Sequence, residues 1–117
     1  MTLADLADRL GLQVKAGHGQ LQSEVTGGYA SDLLSDVIAN ARAGDLWITL
    51  QRHVNIVAVA SMKDLAGVVL VNGRQPEEET IEKAEAEHVP LLVSGMPTFE
   101  LAGRLCEIGL RRTVGKP

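Results

Sequence analysis

The residues whose types and spacing could do chemistry are few, and the most prominent are two adjacent glycines, Gly27 and Gly28, after Thr26. The sequence predicts a strand over residues 24–30 and a helix over 31–43, with the glycine pair at the turn that joins them. Backbone amides exposed at such a turn could hold an anion such as phosphate. A tight turn, or close packing of strand on helix, would need the same two glycines. Both interpretations are open.

Polar residues gather on one side of the helix that follows: Ser31, Asp32, Ser35 and Asp36. Two carboxylates four residues apart could help to hold a divalent cation. Any amphipathic helix, however, displays a polar face with capping residues, and an acid near its first turn is favoured by the helix dipole. We retain Asp32 as a candidate ligand contact, because it follows the glycine pair closely.

His53 comes shortly after a predicted strand over residues 46–50. Open α/β sheets bind ligands at the carboxyl ends of their strands, which makes His53 a second candidate contact. It could equally be a boundary residue at the start of the next helix. The candidate ligand-binding set is therefore Thr26, Gly27, Gly28, Asp32 and His53.

The remaining reactive residues do not form a catalytic constellation. Cys106 falls on the predicted apolar stripe of the last helix with Phe99, Ala102 and Leu105, which is typical of a buried, inert thiol. His18 lies in a glycine turn and His88 near a helix end. The sequence lacks a His or Cys pair at metal-ligand spacing, the Gly-x-Ser-x-Gly nucleophile elbow of hydrolases and a phosphate-binding loop. We therefore predict no catalytic residue, no metal and no cofactor, and a protein that is not an enzyme.

Composition narrows the class of protein. The chain has 117 residues, a net charge of −4 and a single cysteine. A negative charge argues against nonspecific nucleic-acid binding, which needs a basic surface. One cysteine excludes an internal disulfide and fits a reducing cytoplasm. The sequence has no signal peptide and no apolar run of about 20 residues that could span a membrane. We expect a cytoplasmic protein without nucleic-acid or membrane partners.

The order of predicted elements indicates the architecture. From residue 45 onward, strands alternate with helices, which by the right-handed crossover rule gives a three-layer α/β sandwich around a small, mostly parallel sheet. With only three aromatic residues, the core must consist of Leu, Val, Ile and Ala. We expect one domain over residues 1–111 and a flexible tail over 112–117, with a basic cluster of Arg111, Arg112 and Lys116 at this end.

The segment 54–62 is unusual because it is apolar on nearly every face. It lies between two predicted parallel strands, so it should be the crossover helix that joins them. Only Asn55 and Ser61 interrupt its apolar surface. A surface helix of this kind needs a second apolar partner. The predicted interface of a homodimer is therefore Val54, Ile56, Val57, Val59 and Ala60.

The sequence resembles the DRTGG domain family over roughly residues 1–111. Thr26-Gly27-Gly28 matches the end of the motif that names the family, while Glu24 and Val25 stand where the motif has Asp and Arg. Segments 28–37, 46–49, 53–60 and 98–103 add to the match. The motif arginine, and any ligand contact that it makes, is absent here.

The resemblance implies a fold like the N-terminal domain of HPr serine kinase/phosphorylase. Related domains accompany CBS modules in regulated pyrophosphatases and occur in phosphotransacetylases, as accessory, regulatory or dimerising units. Stand-alone forms from anaerobic bacteria and archaea are similar to proteins encoded near iron-only hydrogenase genes, which implies a protein partner in redox metabolism. The expected function is a non-catalytic regulatory or interaction domain that forms a homodimer. The alternative is a domain that senses an adenine nucleotide or phosphate.

Overall fold

The protein is organised around one five-stranded sheet. The computed structural model describes residues 1–110. The strands are β1 (Gln13–Ala16), β2 (Gly27–Ala30), β3 (Asp45–Thr49), β4 (Gly67–Leu70) and β5 (Leu91–Val93), in the spatial order β1-β5-β4-β3-β2. Strands β2 to β5 run parallel to one another, and β1 pairs antiparallel with β5. The predicted small, mostly parallel sheet is confirmed.

Helices cover both faces of the sheet. They are α1 (Leu3–Leu10), α2 (Leu34–Asn40), α3 (Asn55–Met62), α4 (Glu78–Glu87) and α5 (Thr98–Glu107), with a short 3₁₀ turn at His18–Gln20. Helices α2, α3 and α4 bury the face that carries Trp47, Val68 and Leu91. Helices α1 and α5 bury the opposite face, which carries Leu46, Val69 and Leu92. The three-layer α/β sandwich is therefore confirmed.

Helix α1 begins and ends where local signals place it. The Thr2 hydroxyl accepts from the Asp5 amide at 3.1 Å, and the Asp5 carboxylate accepts from the Thr2 amide at 3.2 Å. These hydrogen bonds, above all those with Thr2, lower the pKa of Asp5. Gly11 closes the helix in the left-handed region, at φ 63°. Such a reciprocal cap depends only on residues three apart, so the sequence can predict it.

Helix α2 is shorter than the predicted span of 31–43. It covers Leu34–Asn40, its N-cap position is Leu33, and the chain is already extended at Ala41 rather than ending at Gly44. Ser31 and Asp32 accept hydrogen bonds from β3 instead, through the Ser31 carbonyl oxygen and the Asp32 carboxylate, which competes with helix formation. Among the apolar residues of the predicted span, Val37 and Ala41 are buried, but Leu33 is 64% and Ile38 42% exposed.

The apolar stripe of α5 is also different from the prediction. Leu101 and Leu105 face the sheet and are buried, whereas Phe99 is 93% exposed and Cys106 is exposed. Phe99 precedes Leu101 by two residues, or about 200° around a helix, so the two side chains point in opposite directions. The interpretation of Cys106 as a buried thiol is therefore wrong.

Helix α3 is confirmed, but its predicted role as an interface is wrong for most of its residues. Ile56, Val57, Val59 and Ala60 are each at most 6% exposed within the single chain. The reason is the position of α3, which lies between α2 and α4 and also packs on β4. Neighbours within the same chain cover three of its sides, which explains an apolar surface that the sequence alone attributes to a partner. Val54 is half-buried just before the helix.

Two further expectations concern the C-terminal tail and membrane-spanning segments. Arg111, Arg112, Lys116 and the tail 112–117 lie outside the described residues. Within residues 1–110, no helix is both long enough and apolar enough to cross a membrane.

The position of α3 generates a test of the interface interpretation. We expect Val57→Asp to unfold the chain, because it places an unpaired charge in a fully buried site, at a cost of several kcal/mol. The matched control is Ala58→Asp, the next residue on the same helix but exposed, which should change the free energy of unfolding by about 0.5 kcal/mol or less. Urea unfolding followed by circular dichroism measures both. A folded Val57→Asp chain that has merely changed its oligomeric state would contradict the core assignment.

Candidate functional site

At the carboxyl edge of the parallel strands, polar side chains from several loops hydrogen-bond one another's backbone. Four loops meet there, over residues 31–33, 50–54, 71–77 and 94–97, and each follows one parallel strand. Ligands of open α/β sheets bind at this edge.

Asp32 joins the loop after β2 to the end of β3. Its Oδ1 atom accepts from the Thr49 hydroxyl at 2.9 Å and from the Leu50 amide at 2.7 Å. The Gln51 side-chain amide returns a hydrogen bond to the Asp32 carbonyl oxygen at 3.0 Å. Thr49 is fully buried, so its hydroxyl needs this acceptor. We call these contacts the Asp32 clamp.

Asp36 does not join Asp32 in a common site. Its Oδ2 accepts from the Tyr29 hydroxyl at 2.8 Å, and its Oδ1 accepts from the Asn40 side-chain amide at 2.9 Å. These hydrogen bonds, with the Tyr29 contribution the largest and one from Ser31, lower the pKa of Asp36. Among residues 1–110 there is no group of three or more His, Cys, Asp or Glu side chains that could hold a metal ion. The two acids instead have separate partners: Asp32 bonds the end of β3, and Asp36 bonds the side chains of Tyr29 and Asn40.

His53 lies at the carboxyl edge, in the loop between β3 and α3, where the sequence placed it. It is exposed, and its Nδ1 atom accepts from the Asn55 amide at 3.1 Å. This leaves Nε2 directed away from that bond, so the boundary and the ligand-contact interpretations of His53 are compatible. His18 and His88 are also exposed but lie elsewhere, His18 in the 3₁₀ turn with Nδ1 3.8 Å from Glu85 Oε1 and His88 at the end of α4.

Two arginines that the sequence interpretation did not single out connect the loops after β3 and β4. Arg52 Nε donates to the Gln75 carbonyl oxygen, and Arg74 Nε donates to the Leu50 carbonyl oxygen at 2.9 Å. Each arginine thus reaches across to the other loop. We call this reciprocal pair of hydrogen bonds the arginine staple. The carbonyl oxygen of Arg52 also accepts from the buried Thr80 hydroxyl at 2.7 Å, which extends the connection into α4.

The glycine pair lies within β2 rather than in a turn after it. Gly27 and Gly28 pair with Asp45 and Leu46 of β3, and neither has a positive φ. The turn of the chain comes later, at residues 31–33. The glycine with a special backbone requirement is Gly44, at φ 87°, where a Cβ atom would overlap Thr26 Oγ1. Here a glycine lets two segments of the same chain, at Gly44 and Thr26, approach each other closely.

The structure separates the predicted ligand-binding residues into two groups. Asp32 and His53 lie at the carboxyl edge. Thr26 precedes β2 at the amino edge, about 13 Å away along a four-residue strand. There Thr26 borders an open cavity of about 300 Å³, with Met1, Val25, Ile108, Gly109 and Leu110. One small ligand group cannot contact both sets, so the five residues do not form a single phosphate site.

Comparisons with known proteins add a likeness of fold. No model of a known protein family matches the sequence, and no curated protein sequence matches it. One similar solved structure holds the CBS and DRTGG domains of the regulatory region of a pyrophosphatase from Clostridium perfringens, complexed with the activator diadenosine tetraphosphate. The TM-score is 0.72 at 15% sequence identity, over 87% of this chain and 44% of that one. The match therefore spans less than half of that structure's chain, and it supports a DRTGG-like fold.

The Asp32 clamp generates a stability prediction. We expect Asp32→Ala to lower the free energy of unfolding by about 1–3 kcal/mol, because a buried hydroxyl and a backbone amide lose a charged acceptor. Asp8→Ala, at an exposed position of α1, should change it by about 0.5 kcal/mol or less. Combining Asp32→Ala with Thr49→Val in a double-mutant cycle should reveal a coupling of at least about 0.5 kcal/mol. Additive effects in urea unfolding would argue against the clamp.

The pKa of Asp36 generates a second prediction. Tyr29→Phe removes the hydroxyl that contributes most to the lowered pKa, so the pKa of Asp36 should rise toward its ordinary value of 3.8. A carboxyl with a lowered pKa stabilises the fold above its unfolded pKa, and this contribution disappears as the pH falls through the folded pKa. Titration of the Asp36 carboxyl carbon by NMR tests the change in both proteins. An unchanged midpoint in Tyr29→Phe would show that the hydroxyl does not hold the carboxylate.

Proposed function

We propose that this chain is a non-catalytic regulatory domain whose carboxyl edge responds to binding as one unit. The observation that carries the proposal is that Asp32, Arg52 and Arg74 each hydrogen-bond the backbone of a neighbouring loop. Asp and Arg are residue types that are common in active sites. Here, however, their hydrogen bonds connect three loops to one another. A ligand or partner that displaces one loop must therefore displace the others, which is the behaviour that a regulatory domain needs.

The likeness of fold to a pyrophosphatase regulatory region supports this proposal by analogy. The resemblance to stand-alone DRTGG proteins leads us to propose anaerobic hydrogen or redox metabolism as the setting, with a protein partner from that metabolism. A single cysteine fits a reducing compartment, and we place the protein in the cytoplasm.

We further propose that the domain is a homodimer that associates through the outward face of α5. Phe99, Gly103 and Cys106 follow one another at helical spacing on that face, and all three are exposed. Phe99 is the most exposed large apolar residue of the described chain, at 93%. An aromatic side chain of this kind supplies a central contact in many interfaces, and a small residue beside it lets a second helix approach. This surface replaces the α3 surface, which is internal.

The homodimer can be tested by sedimentation of the full chain at tens of micromolar. We expect a dimer, and we expect Phe99→Asp to shift it to monomer while the fold is kept, because the exposed side chain contributes little to the core. Ala39→Asp, on the exposed side of α2, is the matched control and should leave the dimer intact. A monomeric parent chain would contradict dimerisation and leave the regulatory proposal to stand on ligand binding.

A second candidate function is sensing of an adenine nucleotide or phosphate. It is favoured by the basic side chains at the carboxyl edge, Arg52, His53 and Arg74, and by the nucleotide activator in the structure of similar fold. A thermal-shift screen with adenine nucleotides and phosphate tests it, because a ligand at 100 times its Kd stabilises the folded state by about 2.7 kcal/mol. The absence of any shift would contradict sensing of these compounds, without bearing on the homodimer.

A further inference from the structure

The arginine staple leaves most of both guanidinium groups unused. Each arginine donates its Nε–H to a backbone carbonyl oxygen of the opposite loop. Neither Arg52 nor Arg74 has a carboxylate within ion-pair distance in residues 1–110, where the ion pairs are Met1–Glu24 and His18–Glu85. The Nη groups of both side chains are thus free to donate. Arg52 is half-buried and Arg74 is exposed, so both can be reached from solvent.

The staple also fixes where the two charges lie. Arg52 reaches from the β3–α3 loop to Gln75, and Arg74 reaches from the β4–α4 loop to Leu50. Both guanidinium groups are therefore held between the same two loops. A guanidinium held through Nε has lost much of its rotational freedom before any ligand arrives, and its planar fork matches two oxygens of a phosphate. Both groups carry a positive charge, and an anion bound by both would offset the repulsion between them.

The neighbouring charged groups define what the site can accept. His53 adds an exposed imidazole from the β3–α3 loop, with Nδ1 already occupied by the Asn55 amide. Asp32 lies on the other side of Leu50, where its Oδ1 is committed to the clamp. Glu77 and Glu78 stand at the start of α4, beyond Gln75. The two arginines favour an anionic group, and the acids on the flanking segments disfavour a large anionic surface.

We propose that Arg52 and Arg74 form a binding site for the phosphate group of a phosphorylated small molecule. Bound phosphate oxygens accept from the free Nη groups, while Nε of each arginine keeps its backbone carbonyl. The ligand therefore ties the β3–α3 loop more firmly to the β4–α4 loop. This inference deepens the sensing candidate and rests on it. It differs from the sequence prediction, whose candidate contacts are Thr26, Gly27, Gly28, Asp32 and His53.

Isothermal titration calorimetry on the full chain tests the site, with inorganic pyrophosphate and ADP as separate probes. The two probes distinguish recognition of phosphate alone from recognition of a nucleotide. We expect Arg52→Gln and Arg74→Gln each to weaken binding by about tenfold or more, the loss of a charge-assisted hydrogen-bond pair. Arg104→Gln, at an exposed position of α5, is the control with the same change of charge and should bind like the parent chain.

A second measurement needs no variant, in case loss of a staple destabilises the loops. Titration of the unmodified chain with pyrophosphate, followed by backbone amide NMR, should shift the amides of residues 50–53 and 73–75 together. Binding that is undiminished in both arginine variants, or amide shifts confined to other parts of the chain, overturns this site and leaves sensing in place. No binding of either probe overturns the site and the sensing candidate together.

Discussion

Burial of the sheet on both faces is the constraint on which the rest of the structure depends. Parallel strands need crossover helices, and these cover the sheet so fully that the side chains of β3 and β4 lie almost entirely in the interior. Helix α3 illustrates the result, because neighbours within the same chain bury its residues Ile56, Val57, Val59 and Ala60. The faces of the sheet are therefore unavailable for recognition, and chemistry is confined to the edges and the outer faces of helices.

At the carboxyl edge, the polar side chains hydrogen-bond the backbone of neighbouring loops. The Asp32 clamp and the arginine staple connect the loops after β2, β3 and β4 into a continuous series of hydrogen bonds. Loops without such bonds would move independently, and binding at one of them would not reach the next. The same contacts orient the guanidinium groups of Arg52 and Arg74, whose Nη groups remain available to donate. The same side chains thus stabilise the loops and are proposed to bind the ligand. For this reason we propose the carboxyl edge, rather than the glycine pair, as the functional site.

The sequence predicts the elements that depend on neighbouring residues, and it fails where distant contacts decide. The limits of α1 are set by Thr2, Asp5 and Gly11, and such caps are visible in a sequence because they involve residues a few positions apart. The predicted start of α2 is too early, because Trp47 and Thr49 of β3, 16 and 17 residues away, donate to Ser31 and Asp32 and compete with the helix for them. The arginine staple crosses more than 20 residues, so no local spacing indicates it. His53 could be placed at the edge because a strand end, which the sequence does show, is sufficient for that.

The measurement that tests the central claim most directly is hydrogen–deuterium exchange of the full chain with and without saturating ADP. If the carboxyl edge responds as one unit, the ligand should slow exchange in residues 31–33, 50–54 and 71–77 together, because each loop holds the backbone of the next. Exchange at the amino edge, around Thr26 and Leu110, should stay the same. Protection limited to a single loop, or found only at the amino edge, would contradict the account.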